Sequence, residues 1–322
     1  MSPATVLEVT DLRVGLRRGD GEVPVLDGVS LTVAAGECVA VVGESGAGKT
    51  VLALAVVALL PPVMRVVGGG IRVAGTEVVG ASDATTRALR GGAVGMVFQD
   101  PQASLHPAFR VGAQVAEAIE AHRPEVGRAG ARAEATERLR RVGITDPRAF
   151  PHQLSGGMRQ RVMLAMATAN DPPLCIADEA TSALDVTVQA QVLDLLASTR
   201  AATGAGLLLV THDLGVVATV ADRVVVLYAG RVVESGPAAE VLAAPRHPYT
   251  QGLAAAVPRL DRVAPVAPIP GQPPDPWDRP SGCAFRTRCP RADARCADEV
   301  PVLGAEAPGL AAVACHHPGP SA

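Results

Sequence analysis

Apolar and polar residues follow two different patterns in the segments that predict strands. VLEVTDLRV and VSLTV alternate with a period of two, which predicts strands that bury one face. ECVAVVG, AVGMVFQ, PLCIAD and GLLLVTH are short and continuously apolar, as in strands that are buried on both faces. DRVVVLYAGRVVESG joins two apolar runs through a Gly-containing turn and predicts a hairpin.

Helical spacing fills the intervals between these strands. In VGAQVAEAIEAH and RAEATERLRRVG the apolar residues lie three and four positions apart, which predicts amphipathic helices. Further helices are predicted from Lys49 to about Leu60 and over SGGMRQRVMLAMATA and VTVQAQVLDLLASTR. Strands that alternate with helices predict an α/β fold whose sheet is covered on both faces.

The periodicity fades after about Ala244, where Pro, Gly and Arg become frequent. We therefore predict a domain over residues 1–245, with a helical part at about 101–170, and a small irregular extension over residues 246–322.

Composition narrows the class of protein. The chain has 322 residues, of which 48% are hydrophobic and only 2% aromatic, so its core must be built from Ala, Val and Leu. The net charge of −3 lacks the basic excess of a general nucleic-acid binder, and we expect no nucleic-acid partner. The N-terminus does not resemble a signal peptide, and no apolar stretch reaches about 18 residues, so a reducing compartment is expected.

A phosphate-binding loop is predicted within CVAVVGESGAGKT. The pattern G-x-x-x-x-G-K-[ST] lies here between a predicted strand and a predicted helix, where backbone N–H groups and the helix dipole favour an anion. The lysine is expected to reach the β- and γ-phosphates of a nucleotide, and the threonine to bind Mg²⁺. The predicted loop residues are Gly43, Glu44, Ser45, Gly46, Ala47, Gly48, Lys49 and Thr50.

Two acidic residues follow another buried strand, in LCIADEAT. Asp178, at the carboxyl end of that strand, is expected to hold Mg²⁺ through water. Glu179, its neighbour, is the candidate to polarise the attacking water. With the phosphate loop, this pair predicts a site where water attacks the phosphate of a bound nucleotide.

The segment between these motifs contains LSGGMRQRV, which resembles the signature sequence of ATP-binding-cassette (ABC) ATPases. SALD (Ser182 to Asp185) resembles the D-loop of that family, THD (Thr211 to Asp213) its switch-histidine segment, and Gln99 in VFQDP its Q-loop glutamine. The resemblance covers roughly residues 4–245. It implies a P-loop NTPase cassette with a RecA-like α/β core, an antiparallel β subdomain and a helical subdomain.

The resemblance also implies roles for further residues. Ser155, Gly156 and Gly157 would open a helix that binds the γ-phosphate of ATP held by a second cassette. His212 would contact the γ-phosphate. Gln99 would join Thr50 and Asp178 at Mg²⁺ and link the phosphate to a membrane subunit.

One departure from the family concerns adenine. The family places an aromatic ring near the end of the first strand, whereas LRVGLRRGDGEVPVL has none, and Leu16 is the candidate substitute. A lost stack costs about 1 kcal/mol, so we expect weaker nucleotide affinity with intact catalysis.

The motifs resemble one branch of the family most closely. GESGAGKT, MVFQDPQASLHPAFRVGAQVAEAI and RHPYTQGLAAAVPRL (Arg246 to Leu260) are similar to the ATPase subunits of dipeptide and oligopeptide importers. This resemblance implies an ATPase at the cytoplasmic face of the membrane. Its implied partners are a second cassette, identical or homologous, two permease subunits and an extracytoplasmic solute-binding protein. Import of nickel or another small solute is the alternative, and a soluble ABC ATPase outside transport is a remoter one.

Four of the six cysteines lie in the last forty residues. In a reducing compartment they suggest thiolate ligation of a metal. Their spacing lacks the short knuckles that zinc prefers, while iron–sulfur clusters accept looser spacing. The importer branch has the same tail pattern, and the resemblance implies a [4Fe–4S] cluster; Zn²⁺ and free or oxidised thiols are the alternatives. His316 and His317 are alternate ligand candidates, although we expect them to be polar surface residues. Nearby arginines, among them Arg288, are expected to offset the charge of the centre. The candidate ligands are Cys283, Cys289, Cys296 and Cys315.

Overall fold

A computed structural model describes residues 3–181, 185–256, 268–304 and 311–319. Of the predicted motifs, residues 182–184 of the D-loop segment and 257–260 of the extension lie outside the described residues. The chain forms two compact units, which are described separately. The first unit comprises Met1–Leu7, Thr32–Glu37 and Arg72–Leu209, and the second comprises Glu8–Leu31, Cys38–Ile71 and Val210–Ala322.

The strands of the described residues include every strand that the apolar patterns predicted. In chain order they are β1 (Thr5–Arg18), β2 (Gly21–Ala34), β3 (Cys38–Val42), β4 (Met64–Val73), β5 (Thr76–Glu77), β6 (Val94–Val97), β7 (Leu174–Asp178), β8 (Gly206–Thr211), β9 (Arg223–Tyr228), β10 (Arg231–Pro237) and β11 (Ala312–Val313).

The helices likewise follow the predicted order, with short additions in the loops and the extension. In chain order they are α1 (Lys49–Val56), α2 (Asp83–Leu89), α3 (Pro101–Ser104), α4 (Val111–Glu120), α5 (Gly127–Arg141), α6 (Gly156–Ala167), α7 (Val186–Thr203), α8 (Leu214–Val220), α9 (Ala238–Ala243), α10 (Pro248–Ala255) and α11 (Ala294–Asp298). Single 3₁₀ turns occur at Pro124–Val126, Pro151–Gln153 and Pro276–Asp278.

The first unit places two catalytic candidates at one sheet edge. Strands β6 and β7 are parallel, with Val97 opposite Ala177, so the residues that follow both strands lie at the same edge. Helices α4, α5 and α6 bury a core of small and branched apolar residues between positions 105 and 169. This core matches the low aromatic content of the chain, because Ala, Val, Leu and Ile supply it.

The second unit contains the phosphate loop and the extension. Its sheet runs in the order β11-β10-β9-β3, with β3 parallel to β9 and β9 antiparallel to β10, as in the predicted hairpin. Strand β11 lies in the extension and pairs with β10 through Ser235–Ala312 and Glu234–Val313. The apolar pattern did not predict this strand, which is only two residues long.

Helix lengths bear on membrane insertion. Within the residues that the structure describes, no helix combines the length and the apolar character needed to cross a membrane. Residues 51–60 are all apolar, but helix α1 ends at Val56.

Candidate functional site

The predicted phosphate loop connects β3 to α1 in the second unit. Gly46 and Gly48 have φ values of 80° and 105°, in the region that favours glycine. A Cβ atom at Gly48 would lie 2.6 Å from Leu26 Cδ2, so a side chain here would both strain the backbone and clash. Gly48 caps helix α1 without a side-chain hydrogen bond. The sequence therefore builds the loop and open helix start that an anion requires.

Lys49 is turned back onto its own loop. Its side chain is buried, with the residue 5% exposed, and Nζ donates to the carbonyl oxygens of Gly43 at 2.8 Å and of Glu44 at 3.1 Å. The Ala47 N–H also donates to the Glu44 carbonyl, at 3.2 Å. The ammonium group thus holds the loop closed at the position from which it would meet phosphates.

The acidic pair of the first unit follows strand β7. Asp178 is its last residue and is 3% exposed, while Glu179 is half-buried with a φ of 47°. Gln99, which follows β6, donates from Nε2 to Glu179 Oε2 at 3.0 Å. The structure therefore brings two of the three predicted catalytic residues together, as the parallel register of β6 and β7 requires.

The signature segment begins helix α6, also in the first unit. The Ser155 side chain accepts the N–H of Met158 at 3.3 Å, as a helix cap does. Ser155 and Gly156 are exposed, and a Cβ at Gly156 would meet nothing within 4 Å, whereas one at Gly157 would clash with Val188 at 2.3 Å. The start of the helix is thus open to solvent on one side and closely packed on the other.

The remaining candidates His212 and Leu16 lie in the second unit, and the D-loop candidate Asp185 lies in the first. His212 is exposed between β8 and α8, and its neighbour Asp213 caps α8 by accepting the Gly215 N–H at 2.8 Å. Leu16 is half-buried on β1. The D-loop candidate Asp185 caps α7, where its side chain accepts the Val188 N–H at 3.0 Å.

Comparison with known proteins decides the family. The profile of the family described as ABC transporter matches residues 26–182, and that of the oligopeptide/dipeptide transporter C-terminal region matches residues 233–296. The dipeptide transport ATP-binding protein DppD of Bacillus subtilis is 45% identical over 291 residues, covering 88% of this chain and 87% of that protein. The chain belongs to the ABC transporter family of ATP-binding proteins.

Other relatives of this ABC protein include longer chains. The oligopeptide transport ATP-binding protein OppD of Mycobacterium tuberculosis is 52% identical over 309 residues, which is 94% of this chain and 50% of that protein. The chain thus spans about half the length of this relative.

Solved ABC cassettes confirm the predicted fold class. The cassette MJ0796, in a dimeric post-hydrolysis state bound to ADP and Pi, matches with a TM-score of 0.65 and 26% identity, covering 72% of this chain and 98% of that one. The cbiO1 subunit of an ABC transporter from Clostridium perfringens matches with a TM-score of 0.63 and 28% identity, covering 74% and 91%.

The extension of this ABC protein gathers its four cysteines. Cys283, Cys289, Cys296 and Cys315 line one small cavity, and none of them forms a disulfide. Burial raises the pKa of the thiols of Cys283, Cys296 and Cys315. The N–H of His317 offsets this at Cys315 by donating to its Sγ at 3.3 Å. The N–H of Arg291 donates to Cys289 Sγ at 3.4 Å. Such bonds favour sulfur in the thiolate form that metals bind.

A second donor group adjoins this cavity. The ligand atoms of Asp293, Cys296 and His317 lie within 4.8 Å of one another. Zinc at about 2.3 Å from each sulfur would draw its ligand atoms to within about 4 Å of one another. Among the described residues, the ligand atoms of this group are close to each other but slightly farther apart than a bound zinc ion would hold them, and the group contains only one of the four cysteines.

Sequence reasoning missed several residues that join the extension to the phosphate loop. The Glu44 N–H donates to Tyr249 Oη at 2.7 Å, and Arg288 forms a two-pronged ion pair with the Glu44 carboxylate. The guanidinium group of Arg288, which we expected to offset the charge of the cysteine centre, is bound to Glu44. These pairs are 205 and 244 residues apart in sequence, so no local pattern reveals them.

The segment RHPY has a structural explanation. His247 caps helix α10 by accepting the Tyr249 N–H at Nδ1, and Glu234 accepts the N–H groups of Arg246 and His247. Burial lowers the pKa of His247 to about 3, so the ring is neutral and able to accept. The segment thus fixes Tyr249 where its hydroxyl meets the phosphate loop.

Proposed function

We propose that this protein is the ATP-hydrolysing subunit of an ABC importer of dipeptides or oligopeptides, bound at the cytoplasmic face of the membrane. The observation that carries the proposal is the 45% identity to a dipeptide transport ATP-binding protein over 87% of that protein's length. The match to the oligopeptide/dipeptide transporter C-terminal region supports the same assignment from a separate part of the chain.

Each candidate residue has a separate role in the proposed reaction. The backbone of residues 43–50 and Lys49 bind the β- and γ-phosphates, and His212 contacts the γ-phosphate. Thr50, Asp178 and Gln99 would hold Mg²⁺, which when bound neutralises charge on the phosphate oxygens. Glu179 accepts a proton from the attacking water. The hydrogen bond from Gln99 orients the Glu179 carboxylate in the state described here.

The proposed partner at the signature helix is a second cassette. Ser155 and Gly156 present an open helix start to solvent, and the helix dipole there favours an anion. We propose that this helix binds the γ-phosphate of ATP held by a homologous or identical subunit. Two permease subunits and an extracytoplasmic solute-binding protein complete the proposed assembly.

The catalytic assignment is tested by Glu179→Gln in the assembled transporter. We expect steady-state ATP turnover to fall by about 100-fold or more, because the general base is lost. Binding of Mg²⁺–ATP should persist. Glu8→Gln, which makes the same chemical change at an exposed position on β1, is the control and should leave turnover unchanged. Unchanged turnover in Glu179→Gln would refute the role of Glu179.

We further propose that the four cysteines bind a [4Fe–4S] cluster. Their sulfurs line one cavity, and backbone N–H groups donate to two of them. A cluster carries one thiolate on each of four irons, so its ligands stand farther apart than those of a single zinc ion. This agrees with the described residues, among which the group of closely spaced donor atoms contains only one of the four cysteines.

Metal analysis after oxygen-free purification tests this proposal. We expect about four irons and four acid-labile sulfides per chain, lost in Cys283→Ser and in Cys315→Ser. Asp293→Asn and His317→Asn are the matched variants, because both residues belong to the competing donor group. Zinc near one per chain that is lost in these two variants would instead assign a mixed zinc site.

A further inference from the structure

Side chains of the cysteine-bearing extension bind the phosphate loop at Glu44. Arg288 donates from NH1 to Glu44 Oε2 at 2.6 Å and from NH2 to Oε1 at 3.0 Å. The Glu44 N–H donates to Tyr249 Oη at 2.7 Å. Both the carboxylate and the backbone amide of Glu44 are therefore bound by side chains of the extension.

The guanidinium group of Arg288 is fixed from several sides. The side chain is only 3% exposed. Its Nε donates to the Pro270 carbonyl at 2.8 Å, and its Cζ lies 5.9 Å from the ring centroids of both Tyr228 and Phe285. A buried two-pronged ion pair held in this way restricts Glu44 more than a surface pair does.

The position of Arg288 is set by the cysteine-bearing segment. Arg288 precedes Cys289, and its N–H donates to the Phe285 carbonyl at 3.0 Å within the turn formed by residues 283–289. The N–H of Cys283 donates to the Cys296 carbonyl at 2.8 Å, which ties this turn to a third cysteine. The turn that presents Arg288 to Glu44 thus also presents two of the candidate metal ligands.

Glu44 itself is part of the phosphate loop. Its carbonyl accepts from Lys49 Nζ and from the Ala47 N–H, and its carboxylate adds a negative charge to a loop suited to phosphates. Arg288 neutralises that carboxylate. Without Arg288, an uncompensated negative charge would oppose the charges of a bound triphosphate, and the loop would lose an anchor.

We propose that Arg288 is a positioning residue for nucleotide binding, through which an intact cysteine centre sets the affinity of the phosphate loop for a nucleoside triphosphate. This inference rests on the proposed nucleotide-binding role of residues 43–50. It assigns to the extension a function beyond binding its own metal.

Equilibrium binding of Mg²⁺–ATP to the full chain tests the role of Arg288. We expect Arg288→Met to weaken binding by about tenfold, a typical coupling between two sites. Arg286→Met is the matched control, because Arg286 lies in the same turn and its side chain donates to Ser281 within the extension. It should change affinity by less than about twofold, as surface substitutions commonly do.

A second substitution that removes the unpaired charge distinguishes a specific effect of Arg288→Met on binding from a general loss of folded protein. Glu44→Gln in the Arg288→Met background removes the uncompensated carboxylate, so we expect it to recover most of the lost affinity. Arg288→Lys, which keeps the charge without the two-pronged geometry, should bind with intermediate affinity and serves if Arg288→Met does not fold. Equal affinity of the Arg288 and Arg286 variants, or no recovery in the double variant, would overturn the proposal.

Two further readouts address the link to the cysteine centre. Hydrogen exchange in residues 43–50 should be faster in Arg288→Met than in Arg286→Met. Cys289→Ser should lose metal and weaken binding to about the same degree, and adding Arg288→Met should then have little further effect. Loss of metal without a change in affinity would overturn the link. Failure of the unaltered chain to bind Mg²⁺–ATP would instead refute the proposed function of the loop.

Discussion

The helical region between residues 105 and 169 and the extension after residue 246 differ in what holds them in place. The helical region buries a continuous apolar core of Ala, Val, Leu and Ile from three helices. In the described residues from 268 onward, the buried apolar side chains are few: Phe285, Cys296, Ala311, Ala312 and Ala314. Directional contacts such as those of Arg288 therefore contribute more here, beside an apolar cluster that includes Tyr249 and Phe285.

This difference determines how each region responds to change. Packing energy in the helical region is divided among many small contacts, so one substitution removes a fraction of it. In the extension a single group, such as the Arg288 guanidinium, carries several contacts at once. We therefore expect graded effects in the first region and nearly complete effects in the second.

Removal of the metal that we propose for the extension should have the largest effect on the protein. Because this segment buries few apolar side chains, we expect its cleavage by a protease to accelerate by about 100-fold without metal, while the helical region stays resistant. Limited proteolysis with mass spectrometry measures both regions in one sample. Equal acceleration in residues 105–169 would contradict the comparison.

Alkylation by iodoacetamide supplies the control for this experiment. Burial raises the pKa of Cys175 to about 12, so this thiol should stay unmodified with and without metal. The four cysteines of the extension should become reactive only after metal is removed.

A substitution in the helical core should have the next largest effect. Leu139→Ala empties part of a fully buried position on α5 and should lower the free energy of unfolding by about 3 kcal/mol. Urea unfolding measures the change, and Arg132→Ala, at an exposed position on the same helix, is the control. Metal content should be the same in both variants; loss of metal in Leu139→Ala would show that the regions are not separable.

Removal of one hydroxyl from the extension should have a smaller effect. Tyr249→Phe leaves the Glu44 N–H without its acceptor, and we expect a loss of about 1 kcal/mol in the free energy of unfolding. Tyr228→Phe is the comparison, because its hydroxyl accepts a longer bond of 3.4 Å from Arg288. A larger loss in Tyr228→Phe would contradict this ranking of the two hydroxyls.

The smallest effect is expected at an exposed ion pair of the helical region. Arg138 NH1 donates to Asp171 Oδ1 at 2.6 Å, and this bond, more than any other contact, lowers the pKa of Asp171. The stabilisation is complete above the ordinary pKa of 3.8 and is lost as pH falls below it. Because Asp171 is half exposed, the contribution is about 0.5 kcal/mol.

Asp171→Asn measures this contribution. Asparagine tolerates the φ of 49° at this position, so the substitution changes mainly the charge. Unfolding by urea at pH 7 and at pH 3 should show a difference between the two proteins only at pH 7. A difference of the same size at both pH values would point to backbone strain.

Local patterns predicted most of the regular structure, because burial imposes them residue by residue. The four continuous apolar runs each form a strand, and the spacing of VGAQVAEAIEAH appears as helix α4. The end of α1 was predicted at about Leu60 and lies at Val56, since Ala58 has a φ of 52° that a helix does not admit. The apolar pattern continues past Val56, so it does not predict where the helix ends.

Some contacts of the candidate site could likewise be predicted from local patterns, and others could not. Gln99 and Glu179 meet because both follow parallel strands, a relation that the strand pattern contains. The contacts of Glu44 with Tyr249 and Arg288 depend on tertiary structure, and Arg288 was assigned to the cysteine centre because it is adjacent to it in sequence. The candidate cysteine ligands, with His317 as an alternate, were identifiable by residue type, yet the place of Asp293 beside Cys296 and His317 was recognisable only in three dimensions.

Strand β11 has a consequence for the solubility of shortened chains. Its two residues pair with β10 along part of the outer edge of that strand. The Ala314 N–H adds one more hydrogen bond at this edge, to the Val233 carbonyl at 2.9 Å. A chain cut before Ala311 would lose Cys315 and would also leave these groups of β10 unpaired. An uncovered sheet edge accepts strands from other molecules, so such a chain should self-associate even though its cassette motifs are intact.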